Sequence, residues 1–352
     1  MRLPSLPGLV IATGMVAAWL VGCAAPVRMT TASAPSHGCR AAPDGAVAWV
    51  HPVDPEEREA LDARCAPLAP PLVRVGSTPA RPASRVMVAT WNMHDGRGDI
   101  VSLARDLLAG AGEAPPDAVI LLLQELVRAT AVATAGGGGR DTGVRDVPTV
   151  VVDLGWHLAY VPAKRNRLEP AGASAADRGT AIMSTLPIAD LAAIELPVER
   201  QRRVALSGHV RATTRDGRPW RLRVVSVHLE NRSGMRRVWV RAGASRTRQA
   251  EALLEAIGFD AHPPEAADDG VVLAGDFNTW LGDDEQALRL LREAFPHGPP
   301  SDPRPTMENG WRLDHVFVRL PAGVTAAHRR LESTYGSDHF PVVTTLDFHR
   351  LD

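Results

Sequence analysis

The sequence predicts a strand-rich α/β domain filling most of the chain. Three observations lead there. Apolar runs of strand length recur along it, at least two helical stretches of period 3.6 lie between them, and six polar motifs each sit beside one of those runs. In order the motifs are Trp91-Asn92-Met93, Gln124-Glu125, Val227-His228-Leu229, Gly275-Asp276-Phe277-Asn278, Leu313-Asp314-His315-Val316 and Ser337-Asp338-His339-Phe340-Pro341. Apolar content of 45% with 22% charge suits a soluble globular chain, and 352 residues allow one large domain or two small ones.

Residues 1–22 read as a signal peptide rather than as fold. Arg2 supplies a positive start, residues 9–21 form an apolar stretch too short to span a bilayer comfortably, and small residues follow. Leu20-Val21-Gly22-Cys23 resembles a bacterial lipoprotein cleavage box. That resemblance implies cleavage before Cys23, lipidation of that cysteine, and a lipid anchor on the periplasmic side of the outer membrane. The alternative is secretion with Cys23 discarded.

Residues 23–36 are Ala-, Ser-, Thr- and Pro-rich and predict a flexible tether. Residues 37–84 hold too few apolar side chains for a core of their own and predict an extension packed on the main domain. Within them 55–63 predicts a helix, with acidic residues in its first turn where they suit the dipole. Cys39 and Cys65 lack the CxxC or Cys/His spacing that zinc needs. In an oxidising compartment they predict one disulfide pinning the extension, the alternative being two free thiols.

The main domain, 85–352, opens with a strand at 86–90 and a helix at 100–111. Residues 118–123 are continuously apolar, as in a strand covered on both faces. Residues 129–149, with Gly136 to Gly139, read as a mobile loop that lacks the Gly-Lys-Ser/Thr ending of a phosphate-binding loop. Strands follow at 180–184, 204–213 and 222–227, then a helix at 245–257 with Ala250, Leu253, Leu254 and Ile257 on one face. Further strands fall at 271–274, 313–318 and 342–347.

A net charge of −1 argues against a protein that coats nucleic acid non-specifically. The charge is uneven, however. Residues 160–250 carry 18 Lys or Arg against 7 Asp or Glu, which steers an anionic ligand or makes a solvated arginine-rich face. Lys164 is the one lysine of the chain, a bias that GC-rich codons explain.

Oxygen-rich side chains at strand ends suit a hard divalent cation, Mg²⁺ or Mn²⁺. Glu125 follows a buried strand, where an unpaired carboxylate is costly and a bound ion would compensate it. Asp276 and Asn278, two apart on an extended segment, point to one side and can converge on one group: the acid takes a proton from water, the amide donates to a phosphoryl oxygen. An aspartate on one ring nitrogen fixes a histidine tautomer and frees the other nitrogen, which pairs Asp314 with His339. His228 follows an apolar run toward the same pocket.

These motifs, in this order, resemble the endonuclease/exonuclease/phosphatase superfamily over about residues 85–349. The resemblance implies a four-layer sandwich of two stacked mixed sheets with helices outside, and a phosphodiester hydrolase needing Mg²⁺ or Mn²⁺. It implies that Asn92, Glu125 and Asp338 hold the metal. Asp276 and Asn278 then position water and phosphate, His339 pairs with Asp314, and His228 contacts phosphate. One departure is Thr180, where the family often has Asn, so Thr180 carries no catalytic role here. The resulting expectation is a monomeric phosphodiesterase, with a nuclease slightly favoured. A phospholipid or small-phosphodiester hydrolase of the cell envelope and a catalytically dead anion-binding module are the alternatives. Arg232, Arg236, Arg237 and Arg241 offer a further contact for an anionic substrate or an exposed loop.

Overall fold

The computed structural model describes residues 27–31, 38–41, 46–79, 81–128, 154–165, 177–231, 239–258 and 269–348. The signal peptide with Cys23, the loop at 129–149 and the side chains of Arg232, Arg236, Arg237 and Arg241 lie outside the described residues. No described helix is long and apolar enough to cross a membrane.

Fourteen strands form two mixed sheets of seven. In chain order they are β1 (Met29–Thr31), β2 (Ala48–Pro52), β3 (Leu72–Arg74), β4 (Arg85–Asn92), β5 (Ala118–Arg128), β6 (His157–Arg165) and β7 (Asp177–Ser184), then β8 (Ile188–Glu195), β9 (Val204–Thr213), β10 (Pro219–His228), β11 (Asp269–Asp276), β12 (Asp314–Arg319), β13 (Thr325–Arg330) and β14 (Val342–Asp347). The helices are α1 (Pro55–Cys65), α2 (Ile100–Leu108), α3 (Trp239–Ala256) and α4 (Gln286–Ala294). One sheet runs β1-β2-β8-β9-β10-β11-β12 and the other β13-β14-β4-β5-β7-β6-β3.

Alternation along the strands builds the layers. Val86, Val88, Ile120 and Leu122 of one sheet meet Leu206, Leu222, Val224 and Val272 of the other in the central core. The residues between them face outward: Met87, Ala89, Leu121 and Leu123 pack on Leu103 and Leu107 of α2. On the far side Val225, Val227 and Leu273 pack on Leu253 of α3 and Leu288 and Leu291 of α4. The result is the four-layer sandwich the resemblance implied. Helix α2 starts at Asp99, whose carboxylate accepts from the Ser102 N–H at 3.3 Å, so its first turn is capped.

The N-terminal segment enters both sheets. Strand β1, inside the stretch read as a tether, pairs with β2, which adds parallel to β8, while β3 pairs with β6. Short strands add hydrogen bonds without needing an apolar core, so composition did not reveal them. Cys39 and Cys65 form a disulfide with their Cα atoms 5.1 Å apart. Both are buried in the central core with Trp49 and Leu68, so the segment shares that core. The Glu195 carboxylate, fully buried, is held by Arg202 Nε at 2.9 Å and Arg40 Nη2 at 2.5 Å, tying the segment to β8.

Two parallel pairings set up the site. Strands β4 and β5 run parallel, as do β10 and β11, so their C-terminal ends lie side by side within each sheet. Asn92 stands opposite Gln124, His228 opposite Asp276, and Asp276 opposite Asp314. Beneath these ends Gln124 Nε2 donates to Ser226 Oγ at 3.0 Å, a polar link from one sheet to the other.

Gly275 fixes the approach of β10 to β11. A Cβ there would lie 1.9 Å from the Val227 carbonyl oxygen, which is backbone and has nowhere to go. Gly275→Ala is therefore expected to destabilise the fold by about 1–3 kcal/mol, read as a lower midpoint in urea denaturation. An unchanged midpoint would show that the two backbones have room to part.

Candidate active site

The strand ends gather polar groups at the seam between the sheets. Asp276 ends β11, 2% exposed, with both carboxylate oxygens engaged. Asn92 Nδ2 donates to Oδ2 at 2.9 Å and the Asn278 backbone N–H to Oδ1 at 2.9 Å. His228 Nε2 lies 3.4 Å from the same Oδ2 and His339 Nε2 4.0 Å from it. Burial, reinforced by the Asp314 charge, raises the Asp276 carboxyl to about 6. That suits a general base near neutral pH.

His339 is held from three directions. Its Nδ1 lies 2.7 Å from Asp314 Oδ2, its backbone N–H donates to Ser337 Oγ, and its carbonyl accepts from Trp91 Nε1 at 2.9 Å. The Asp314 backbone is fixed in turn by its N–H donating to Thr306 Oγ1. Burial alone would lower the His339 imidazole, but the Asp314, Asp276 and Asp338 carboxylates outweigh it and raise it to about 10. His228 goes the other way. Burial, then the charges of Arg203, Lys164 and Arg178, push it well below its ordinary value. At neutral pH one imidazole is cationic and the other neutral.

Glu125 sits in a bulge. The β5–β7 register shifts between Leu123 and Leu126, and Glu125 has a left-handed φ of 56°. Such a bulge re-aims a side chain away from the sheet face. Its Oε2 accepts from the Asp95 N–H and from Arg178 Nη1, both at 3.2 Å, while Arg178 also pairs with Asp95. Burial raises the Glu125 carboxyl, with Lys164 and Arg203 pulling against it. His94, Asp95 and Asn278 share the left-handed conformation, so strained backbone clusters here.

The eight residues singled out from sequence do not form one cage. Asp276, Asp314 and His339 offer atoms all within 4.8 Å of one another. Within this trio Asp314 Oδ2 lies 2.7 Å from His339 Nδ1, the contact expected of an aspartate that orients an imidazole. Asn92 joins it through Asp276; Asp338, half-exposed, lies 3.2 Å from His94 Nδ1. Glu125 borders an open cleft lined with Lys164, Arg178, Thr180, Arg203 and His228. The desolvated Glu125 carboxylate offers hard oxygen of the kind a divalent cation takes. Asn278 differs from the simple strand alternation expected of it. It lies past the end of β11 with φ 51°, and its Nδ2 donates to the Leu229 carbonyl at 3.1 Å.

Sequence reasoning missed His94, Asp95, Lys164, Arg178 and Arg203. The pair Arg202-Arg203 directly before a strand was the available signal, because an arginine at a buried strand entry requires a partner.

Raising the His339 pKa means the folded state holds that proton more tightly than the unfolded chain. The pair with Asp314 therefore stabilises fully below about pH 6.5, and the gain is lost as pH rises through about 10. In the metal-free protein, urea midpoints of wild type and Asp314→Asn should converge between pH 7 and 10. Parallel curves across that window would remove the ion pair from the account.

The model of the Endonuclease/Exonuclease/phosphatase family matches residues 89–339. Solved structures of similar shape are distant in sequence, 12–20% identical in three cases. A family protein from Leptotrichia buccalis C-1013-b is 12% identical, covers 75% of this chain and 100% of its own, and superposes with a TM-score of 0.49. Humanized D. rerio TDP2 is 18% identical over 75% and 99%, with 0.46, and sphingomyelinase C from Streptomyces griseocarneus 20% over 75% and 99%, with 0.43. No curated protein sequence matches significantly.

Proposed function

The chain belongs to the endonuclease/exonuclease/phosphatase family, and we propose that it is a divalent-metal-dependent phosphodiester hydrolase, with a nuclease as the first candidate. The observation that carries this reading is Asp276: a buried carboxylate raised to about 6, both oxygens aimed, beside one neutral and one cationic imidazole. Glu125, with Asn92 and Asp338, would hold the ion. Bound there, a Mg²⁺ or Mn²⁺ ion supplies charge neutralisation at the phosphoryl and leaving oxygens.

The chain's own groups do the rest. Asp276 orients a water and takes its proton as the water oxygen bonds to phosphorus and the ester oxygen departs with its electron pair. Cationic His339, its ring fixed by Asp314, directs Nε2–H toward the charge developing on the phosphoryl group. His228 and the Asn278 amide would donate to the same phosphoryl group. Asn92 keeps Asp276 from rotating out of line.

Hydrolysis of an aryl phosphodiester and of duplex DNA, with Mg²⁺ or with EDTA, tests this. EDTA should abolish turnover, and Asp276→Ala or His339→Ala should lower it by roughly a hundred- to a thousandfold. Full activity in either variant would remove that residue from the mechanism. Sphingomyelin cleavage without DNA cleavage would move the assignment to a phospholipid hydrolase.

A further inference from the structure

Asn278 sits in a left-handed turn, φ 51°, just past the end of β11. A non-glycine residue keeps that conformation only where its surroundings over-determine it. Here they do so from both sides. On one side the Phe277 N–H donates to the Leu313 carbonyl at 2.9 Å, and the buried Phe277 ring meets Phe317 edge-on at 5.4 Å. On the other, Thr279 is buried and its Oγ1 lies 2.8 Å from His315 Nε2. The Trp280 N–H then closes the turn on the Asn278 carbonyl at 2.9 Å.

His315 belongs to the motif Leu313-Asp314-His315-Val316, of which the proposed mechanism uses Asp314. Adjacent residues of a strand face opposite ways. On β12 this sends Asp314 to His339 in the seam, and His315 to the outer layer against Phe277 at 5.9 Å and Phe317 at 6.2 Å. One strand thus orients a group on each of its faces. Burial, followed by the charges of Arg312 and Arg292, pushes the His315 imidazole down to about 3. It is neutral around neutral pH, so its contact with Thr279 does not come and go there.

A third phenylalanine would fill the space beside Phe277 and Phe317 with no polar ring to desolvate. A buried ring nitrogen and a buried hydroxyl each need a partner, and here they supply one another. What they hold is the Asn278 side chain. Its Nδ2 donates to the Leu229 carbonyl at 3.1 Å, which fixes one amide hydrogen and leaves the other for a phosphoryl oxygen. Misplacing such a group by about 1 Å can cost about a hundredfold in rate.

We infer that His315 and Thr279 are positioning residues for the Asn278 amide, and that their contact locks the turn that aims it. The inference deepens the phosphodiesterase reading, on which its consequence in catalysis rests. The lock itself is a property of the metal-free protein.

The test uses Thr279→Val, which keeps the shape and removes the hydroxyl, Thr279→Ser, which keeps the hydroxyl, and His315→Phe. Hydrogen exchange of the Asn278 and Trp280 amides in the metal-free protein reads the lock alone. Exchange roughly tenfold faster in Thr279→Val and His315→Phe, with wild-type rates in Thr279→Ser and at Leu273 of β11 throughout, is expected. Unchanged exchange in Thr279→Val overturns the lock, whether or not His315→Phe folds. Equal acceleration at Leu273 overturns it too, as a general loosening. Kinetics on an aryl phosphodiester reads what the lock is for. In Thr279→Val kcat should fall roughly tenfold with KM within about twofold, and Thr279→Ser should restore it. In an Asn278→Ala background Thr279→Val should cost little more, because the hydroxyl acts through that amide. The same further loss there, or an unchanged kcat in Thr279→Val alone, overturns the positioning role. No turnover by the wild type on aryl diester, DNA or sphingomyelin, with the exchange difference present, would overturn the hydrolase reading while leaving the lock standing.

Discussion

A carboxylate removed from water at the seam of two sheets is the constraint on which this molecule turns. Asp276 belongs to one sheet and the Asn92 amide that holds it to the other, across 2.9 Å. A buried charge is tolerated only when hydrogen-bonded, so the sheets must stack in the register that brings Asn92 to it. Gln124 and Ser226 enforce the same register one layer down. The Gly275 backbone, pressed on Val227, leaves no slack between β10 and β11. Packing and chemistry therefore specify one alignment.

That alignment also separates the two histidines electrically. Three carboxylates outweigh burial and raise the His339 imidazole, whereas burial, joined by the neighbouring cations, lowers that of His228. Residues of the same type serve opposite ends of a reaction because their surroundings differ, and paired groups pushed apart in this way mark acid–base roles. The strained backbone at Glu125 and Asn278 has a parallel origin. Ordinary strand geometry would point both side chains at the sheet faces. A bulge and a left-handed turn redirect them, at a cost the surrounding core must meet.

Much of this was legible in the sequence, and the rest failed for identifiable reasons. Central strands such as β5, β9 and β14 are covered on both faces, so their apolar runs declare them. The motifs at their ends were found for the same reason. Strand β13, TAAHRR, is an edge with no buried face to pattern it. Strand β6 carries Pro162 near its bulge, which breaks the usual signature. Helix α4 alternates charge and leucine over nine residues, too short for periodicity to stand out. Asp276, Asp314 and His339 stood in recognisable tetrapeptides. Lys164, Arg178 and Arg203 did not, because their meaning lies in β6, β7 and β9 arriving at one cleft from distant parts of the chain.

The N-terminal strands cover one end of each sheet. Without β2 and β3, strands β8 and β6 would be bare sheet edges, each offering a row of unpaired N–H and C=O groups to a second molecule. The segment before Arg85 covers both and leaves only the three-residue strands β1 and β3 at those edges, and the Cys39–Cys65 link keeps part of it in place. The stretch matched by the family model begins at residue 89, inside β4. A chain cut there would keep every residue gathered at the site and leave β8 and β6 as unpaired sheet edges, each able to pair with a second molecule.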